Sequence, residues 1–136
     1  MNTKKTGELT EQRVIVRLLE LGASVSEPVG DSDRYDLIVD TGSNLLRVQV
    51  KTGWFNSGRV VFKTESTPNR PNGNRYKYKS SDVDAFIVYS DVTDDFYYIP
   101  IEESSEGDMR LRVEEPKKNH PSINWASDYL LTENFK

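Results

Sequence analysis

The sequence predicts a mixed α/β fold in which one central β-sheet is flanked by helices. Three observations predict it: a stretch near the N-terminus has helical periodicity, several short runs alternate like strands, and a stretch near the C-terminus again has helical spacing. A chain of 136 residues is long enough to bury one hydrophobic core. We therefore expect residues 1–136 to form a single domain.

The first predicted element is an amphipathic helix within "LTEQRVIVRLLELGA". Its apolar residues recur at helical spacing, namely Leu9, Val14, Leu18 and Leu21. Gly22 is expected to end the helix, because glycine readily takes the left-handed conformation found after helix C-termini. Thr6 or Thr10 is expected to cap its start, since each has an acid or amide nearby in the first turn.

The predicted strands follow in order along the chain. A short strand in "ASVSEPVG" precedes "YDLIVD" and "LLRVQVKT", which are joined by the turn "TGSN". After a break at "GWFNSG" comes the strand "GRVVFKTE", and then a loop from Ser66 to Lys79 that is rich in Pro, Asn and Gly. "DAFIVYS", "FYYIPIE" and "MRLRVEE" are further strands, and "INWASDYLL" is a closing helix.

Composition narrows the possible chemistry. Cysteine is absent, which excludes disulfides, a thiolate nucleophile and zinc fingers. His120 is the single histidine, which excludes His-His metal sites; its context "KKNHPS" predicts a surface loop and not a catalytic role. No run approaches the roughly 18 apolar residues that span a bilayer. We therefore expect the chemistry to come from carboxylates, lysine, amides and hydroxyls, together with a hard metal ion.

The charge is unevenly distributed, although the net charge is −4. Residues 1–80 contain 13 Lys+Arg against 9 Asp+Glu, a net of +4, whereas residues 81–136 contain 5 against 13, a net of −8. Between Arg47 and Lys79, eight bases accompany one acid, Glu65. This distribution favours an approach of the first half of the chain to a polyanion.

Candidate DNA-binding residues lie within this basic region. The segment "NRPNGNRYKYK" mixes bases with tyrosines, which can contact phosphates and stack on a base or sugar. The alternative is a solvated loop, for which such a composition is common. The expected DNA contacts are Arg47, Arg59, Lys63, Arg70, Arg75, Tyr76, Lys77 and Lys79. For Trp54, both a core and a DNA-facing position remain open.

Strand alternation brings three polar groups together. In "LLRVQVKT" the apolar residues share one face, whereas Arg47, Gln49 and Lys51 share the other. Antiparallel pairing through the turn "TGSN" places Asp36 near Lys51. Asp36, Gln49 and Lys51 are therefore expected to converge at one end of the sheet.

Two interpretations of this group are open. An acid, an amide oxygen and a lysine at this spacing suit metal-assisted phosphodiester hydrolysis. Asp36 and Gln49 would hold Mg²⁺ through oxygen, and Lys51 would orient or deprotonate the attacking water or neutralise developing charge. The alternative is a surface polar stripe with a cross-strand Asp–Lys ion pair, worth about 0.2–1 kcal/mol. Spacing alone does not decide between them.

A family resemblance favours the first interpretation. "RYDLIVD…RVQVKTG", preceded by "GELTEQRVIVRLLELG", resembles the PD-(D/E)XK nuclease superfamily. Within it, the sequence is similar to the homing-type endonucleases associated with group I introns and, more distantly, to archaeal Holliday-junction resolvases. The family pattern of a helix Glu, a strand Asp and (D/E/Q)-x-Lys falls on Glu11, Asp36, Gln49 and Lys51. Glu8, on a similar helix face, is the nearest rival of Glu11.

The resemblance covers most of the chain and implies a restriction-endonuclease-like core. It continues through "GRVVFKT", "DAFIVY", "YYIPI" and "LRV…INWASDY". The sequence departs from the pattern where Tyr35 replaces a Pro that is not a ligand, and where Gln49 replaces an acid and so removes a negative charge. The family core also has a helix after the third strand, for which only "SSDVDAF" is available.

The resemblance implies a metal-dependent endonuclease that cuts double-stranded DNA to 5′-phosphate and 3′-hydroxyl ends. It implies Asp36, Gln49 and Glu11 as metal ligands or metal-water contacts, Mg²⁺ as the cofactor with Mn²⁺ as a substitute, and a homodimer or homotetramer. We expect DNA as the partner, no membrane, and a cytoplasmic location at the nucleoid during action. The alternatives are a resolvase selective for branched DNA, a catalytically silent DNA-binding module, and a restriction or repair role with a partner protein.

Overall fold

The computed structural model describes residues 2–30, 34–66, 76–118 and 122–135, which contain one α-helix and ten strands. The helix α1 spans Thr3–Glu20. The strands are β1 Ser24–Ser26, β2 Leu37–Asp40, β3 Leu45–Thr52, β4 Trp54–Asn56, β5 Arg59–Lys63, β6 Glu65–Ser66, β7 Tyr76–Lys77, β8 Ala85–Ser90, β9 Asp95–Pro100 and β10 Asp108–Arg112. Short 3₁₀ helices follow at Ile101–Glu103 and Ala126–Tyr129.

Helix α1 starts at a different cap from the two that the sequence predicted. The Asn2 side chain accepts a hydrogen bond from the Lys5 N–H at 2.8 Å, so Asn2 is the N-cap. The predicted caps are wrong: Thr6 lies inside the helix and its hydroxyl bonds back to the Asn2 carbonyl, and Thr10 is buried. The predicted end is confirmed, since Gly22 follows the helix with a φ of +88°.

The central sheet is mixed, as predicted. Its strand order is β1-β2-β3-β8-β9, with β3 and β8 parallel and the other pairs antiparallel. The turn between β2 and β3 is the predicted one. The Asp40 carboxylate accepts the Gly42 N–H at 2.9 Å, and Gly42 has a φ of +93° that favours glycine. This hairpin sets Leu37 opposite Val48.

A second sheet, with strand order β10-β5-β4, covers one face of the central sheet. The predicted break at "GWFNSG" is wrong, because this segment forms β4 and a two-residue hairpin loop. Ser57 and Gly58 have positive φ angles of 54° and 78°, the backbone that such loops require. Gly53 lies where the chain passes between the sheets. A Cβ there would lie 2.7 Å from the Val60 Cγ1, so only glycine allows this close approach.

Two apolar clusters lie on opposite faces of the central sheet. On one face, α1 packs Val14 and Leu18 against the inward residues of β2, β3 and β8. On the other, the second sheet packs Val60 and Phe62 against the opposite face of β8 and β9. Where the sequence predicted several flanking helices, the described residues therefore have one α-helix and a small sheet. None of the helices in these ranges has the length and apolar character needed to cross a bilayer.

Two further segments differ from the sequence prediction. "INWASDYLL" contains only a 3₁₀ turn, because Leu130 forms a β-bridge with Tyr97 and the Leu131 N–H bonds to the Phe96 carbonyl at 2.9 Å. "SSDVDAF" leads into β8 as a turn and not as a helix. Part of the predicted loop is a strand: β7 pairs antiparallel with β6. Residues 67–75 and His120 lie outside the described residues.

Candidate active site

Asp36 is tied into the central sheet by both its backbone and its side chain. Its N–H donates to the Val48 carbonyl at 2.9 Å, and its Oδ2 accepts the Val50 N–H at 2.8 Å. The carboxylate thus continues the β2–β3 ladder beyond Leu37. Burial raises the pKa of Asp36, although the Val50 N–H and the positive charge of Lys51 both act to lower it. This carboxylate is held rigidly and lacks a partner strong enough to restore its ordinary pKa.

Lys51 lies on the same face of β3 as Gln49 and near Asp36. Both side chains are half-buried. The Lys51 Nζ donates to the Glu65 carbonyl at 3.2 Å and lies 5.0 Å from the centre of the Tyr78 ring. Burial lowers the pKa of Lys51; the Asp36 charge opposes this, and the Lys63 charge adds to it. The predicted convergence of Asp36 and Lys51 at one end of the sheet is present.

Glu11 reaches the same region from α1. The helix is fixed there by a hydrogen bond of 2.8 Å between the Thr10 and Thr52 hydroxyls. Burial raises the pKa of Glu11, and the charges of Asp36 and Glu27 raise it further. Glu8, the rival candidate, is exposed. Glu11 is therefore the helix acid that lies within reach of the Asp36 charge.

Glu27 is a residue that the sequence analysis missed. It follows β1, and the pairing of Ser26 with Ile38 brings it beside the start of β2. It is exposed, and its charge raises the pKa of Glu11. No local motif identifies this position, because its neighbours depend on the register of an edge strand.

Aromatic side chains form one wall of the site. Tyr78 is buried beneath Lys51, and burial followed by the Asp36 charge raises its pKa to about 12. Its ring contacts Tyr76 edge-on, with centroids 6.1 Å apart. The Arg34 guanidinium lies 3.6 Å from the centre of the Tyr76 ring, and the Tyr76 hydroxyl donates to Asp82 at 2.8 Å. The β6–β7 hairpin thus closes over the Lys51 side of the site.

Arg47, one of the predicted DNA contacts, makes several hydrogen bonds within the protein. Its Nε and NH2 groups donate to the Asp84 carboxylate at 3.3 and 3.2 Å, and its other N–H groups donate to the Ser80 and Ser81 carbonyls. Four of its five guanidinium N–H donors are thereby used, so Arg47 connects β3 to the turn before β8. The sequence could not show this, because Asp84 lies 37 positions away.

The other predicted DNA contacts are scattered. Lys77 is paired with Glu106, and Lys79 is exposed. Lys63 lies over the Trp54 ring at 5.9 Å, and Trp54 is on the outer side of the second sheet with 41% of its surface exposed. The Arg59 Nε donates to the Asn56 carbonyl at 3.3 Å. Arg70 and Arg75 lie outside the described residues.

The fold thus brings two acids and a half-buried lysine together at one end of a mixed sheet. The sequence model of the PD-(D/E)XK endonuclease family matches residues 1–132, and the chain belongs to that family. It is accordingly a DNA endonuclease of the class whose members use divalent metal ions.

A solved structure supports the same assignment. The bacterial homing endonuclease I-Ssp6803I is similar to this chain with a TM-score of 0.79 and 30% sequence identity, and the match covers 96% of this chain and 89% of that one. No curated protein sequence matches the chain at a significant level. The resemblance to the PD-(D/E)XK superfamily and to a homing-type endonuclease is confirmed.

Proposed function

We propose that this chain is a Mg²⁺-dependent endonuclease that hydrolyses phosphodiester bonds in double-stranded DNA. We propose residues 1–136 as one nuclease domain, with its active site at Asp36, Gln49, Lys51 and Glu11. The observation that carries the proposal is the meeting of Asp36 and Lys51 at one end of the sheet. Burial shifts both pKa values against the charged forms, as is common where side chains do chemistry.

The donor set at this end of the sheet fits a hard divalent cation. Asp36 and Glu11 supply carboxylate oxygens and Gln49 supplies an amide oxygen, the ligands that Mg²⁺ prefers. Burial raises the pKa of both acids, and for Glu11 the negative charges of Asp36 and Glu27 raise it further; a bound cation would favour the ionised forms of both. Among the described residues no three His, Cys, Asp or Glu side chains form a metal-binding group, which agrees with Gln49 replacing one acid.

Asp36 and Gln49 would hold the ion and Glu11 would support it, directly or through water. When bound, the ion lowers the pKa of water and stabilises charge on the phosphate. Mn²⁺ is expected to substitute for Mg²⁺. Because Gln49 removes one negative charge, we expect metal affinity to be weak until a DNA phosphate adds its own oxygen ligand and charge.

Lys51 acts on the attacking water. Its lowered pKa makes the neutral amine more accessible, so Lys51 can accept a proton from water or, when charged, stabilise the developing negative charge. The water oxygen forms a bond to phosphorus, the bond from phosphorus to the 3′ oxygen breaks, and the leaving oxygen takes up a proton. The products are a 5′-phosphate and a 3′-hydroxyl. The Glu65 carbonyl and the Tyr78 ring hold the Lys51 ammonium for this step.

The substrate and assembly follow from the same proposal. The predicted basic residues other than Arg47 remain candidates for phosphate contacts, including Arg70, Arg75, Tyr76, Lys77 and Lys79. Cutting both strands requires two sites, so we propose a homodimer or homotetramer acting on DNA inside the cell. The similarity to I-Ssp6803I supports a homing role over restriction or repair.

A second candidate is a catalytically silent DNA-binding module with the same fold, which Gln49 favours because it weakens the metal site. The deciding experiment incubates wild-type protein with supercoiled plasmid and with a cruciform plasmid, in Mg²⁺, in Mn²⁺ and in EDTA. We expect metal-dependent cleavage of ordinary duplex. Cleavage confined to the cruciform would support a resolvase, and DNA binding without any cleavage would support the silent module.

Matched variants assign the cleavage to this site. Lys51→Met keeps the length of the side chain but removes the amine, and we expect the cleavage rate to fall by about 10²–10³. Arg17→Gln on α1 removes a positive charge elsewhere and should leave the rate unchanged. DNA binding measured in EDTA should survive both substitutions. Full cleavage by Lys51→Met would refute the assigned role of Lys51.

A further inference from the structure

The outward face of the second sheet is a surface that the sequence analysis recognised only in part. Met109, Leu111, Val60 and Phe62 face inward and are fully buried. The alternate positions therefore face outward, and registered partners share that face. The positions on this side are Trp54 and Asn56 on β4, Arg59, Val61 and Lys63 on β5, and Asp108, Arg110 and Arg112 on β10. Val61, in the middle of the face beside Trp54 and Arg110, is itself buried.

The charge on this face is opposite to that of the whole chain. Its strand positions carry four bases and one acid, a net of +3, in a chain of net charge −4. The acid, Asp108, pairs with Arg110 at 3.1 Å, and the Arg110 side chain still has 52% of its surface exposed. Arg112 and Arg59 donate to the carbonyls of Ser57 and Asn56, which orient them without neutralising them. A solvated face of ordinary composition would mix both signs.

This face is continuous with the candidate active site. Trp54 lies three positions after Lys51 in the sequence, and Lys63 lies over the Trp54 ring. The charge of Lys63 also lowers the pKa of Lys51. The chain passes from β3 to β4 through Gly53, which approaches Val60 too closely for any larger residue. A rod-shaped polyanion lying on the outward face therefore extends towards the end of β3 where cleavage is proposed.

We propose that the outward face of β5 and β10 enters the major groove of duplex DNA and reads base edges there, with Arg110, Arg59 and Arg112 as the reading residues and Lys63 on a phosphate. This inference rests on the proposed function. Strand β10 is an edge of this three-stranded sheet and β5 is its neighbour; since neighbouring strands lie about 4.8 Å apart, the outward side chains of these two strands fall within the width of a major groove, about 12 Å. Arginine is suited to this role because its planar fork matches the guanine O6 and N7 acceptors.

The first test measures duplex binding in EDTA, where no cleavage occurs, by fluorescence anisotropy over a range of salt concentrations. The double variant Lys63→Gln/Arg110→Gln removes two outward charges whose side chains bond to no backbone group within residues 2–30, 34–66, 76–118 and 122–135. Arg13→Gln/Arg17→Gln removes two charges from α1, on the opposite side of the central sheet, and is the matched control. We expect the first to weaken binding about tenfold or more and to flatten the salt dependence by about 1–2 units of slope, and the control to match wild type.

The second test sequences the DNA ends that wild type, Arg110→Gln and Arg17→Gln produce from a randomised plasmid library. We expect Arg110→Gln to relax base preference at one or more positions and Arg17→Gln to keep the wild-type profile. Unchanged binding and an unchanged profile in the outward-face variants, with duplex cleaved by wild type, would overturn this inference alone. Duplex binding without cleavage would overturn the proposed function, and the effect of the outward-face variants on binding would still decide this inference. Preference for an RNA hairpin, or no binding to duplex, would overturn both.

Discussion

Two aspartates beside strand β3 make the same backbone hydrogen bonds, but their pKa values are shifted in opposite directions. Asp36 and Asp84 each precede a neighbouring strand, each donates its N–H to a β3 carbonyl, and each accepts a β3 N–H through its carboxylate. Asp84 also pairs with Arg47. Burial acts to raise the pKa of Asp84, but the hydrogen bonds from Arg47 outweigh it and the pKa is lowered. For Asp36 burial prevails and the pKa is raised.

The difference shows which acid is structural and which is available. The Arg47 guanidinium satisfies Asp84 and leaves little for a ligand to add. Lys51 stands near Asp36, but its ammonium bonds instead to the Glu65 carbonyl, and among the described residues no ion pair joins it to Asp36. The charge of Asp36 is therefore free to act on a cation. Five predictions test this contrast and the role of Lys51.

The largest difference is expected in catalysis. Asp36→Asn keeps the shape and an acceptor for the Val50 N–H but removes the charge that would hold the metal. We expect it to lower the single-turnover cleavage rate by about 10²–10³ or more. Asp84→Asn, the matched change at the other aspartate, should retain cleavage within about threefold, because the Asp84 carboxylate is bonded to Arg47 and is not one of the proposed metal ligands. Equal losses in both variants would remove the contrast.

The next difference concerns pH. Asp36 and Glu11 must be ionised to bind a cation. Because their pKa values are raised, these carboxyl groups stay protonated up to a higher pH than ordinary acids. Cleavage should therefore fall as the pH drops through these raised values, while the protein is still folded. The measurement is the single-turnover rate against pH at saturating metal, with folding followed by circular dichroism. A rate that stays constant down to the ordinary range of carboxyl pKa values would contradict the raised pKa values.

NMR can test the electrostatic interaction between Asp36 and Glu11 without measuring activity. Since the Asp36 charge raises the pKa of Glu11, Asp36→Asn should lower the pKa of the Glu11 carboxyl as read from its side-chain carbon shift. Asp84→Asn is the control and should leave the Glu11 titration unmoved.

Stability should respond with opposite signs at the two aspartates. A raised pKa means that Asp36 favours the folded state below its unfolded-state pKa, and that this contribution is lost as the pH rises through the folded-state value. At neutral pH its charge therefore costs stability, so Asp36→Asn should stabilise the protein by about 0.5–2 kcal/mol. The pKa of Asp84 is lowered, so its contribution is present at neutral pH and is lost on acidification. Asp84→Asn should destabilise the protein by about 1 kcal/mol.

These signs are measured by urea unfolding at neutral pH, with Asp40→Asn as a control at an exposed turn position. The comparison should be repeated under acidic conditions, where the difference between Asp36→Asn and wild type is expected to shrink. Destabilisation by Asp36→Asn at neutral pH would show that its charge is already satisfied within the protein.

The smallest effect is expected from the ring beneath Lys51. Tyr78 contributes a cation–π contact, so Tyr78→Leu should reduce the cleavage rate about two- to fivefold, whereas Tyr78→Phe should retain it. Phe62→Leu removes a ring that packs on Phe86 in the same core and is the control for lost packing. A rate loss in Phe62→Leu equal to that in Tyr78→Leu would show that packing, and not contact with Lys51, explains the change.

The local hairpin of the site was predictable from the sequence. The period-2 pattern of β3 fixes which residues face α1, and the turn at Gly42 fixes the register that brings Asp36 near Lys51. By contrast, strand β4 was missed because "GWFNSG" contains turn residues, and its positive-φ pair begins with Ser57, which carries no strong signal for such a loop.

Long-range pairing explains the remaining differences. Arg47 and Lys51 are both bases on the same face of β3, and only the fold shows that Arg47 meets Asp84 while Lys51 does not. Glu27 joins the acidic group only through the β1–β2 register. The C-terminal stretch has helical spacing, but pairing of Leu130 with Tyr97 prevents a helix beyond one 3₁₀ turn. Sequence periodicity shows which face of a helix or strand a side chain lies on, whereas the residue that it contacts there depends on the tertiary fold.

The most direct test of the central contrast is a crystal structure of the protein with duplex DNA and Mn²⁺, with the ion located by its anomalous signal. We predict a peak bonded to oxygens of Asp36 and Gln49 and absent from Asp84, with a DNA phosphate beside Lys51. A peak at another group of residues, with Asp36 free of metal while DNA is cleaved in the same crystals, would contradict the account.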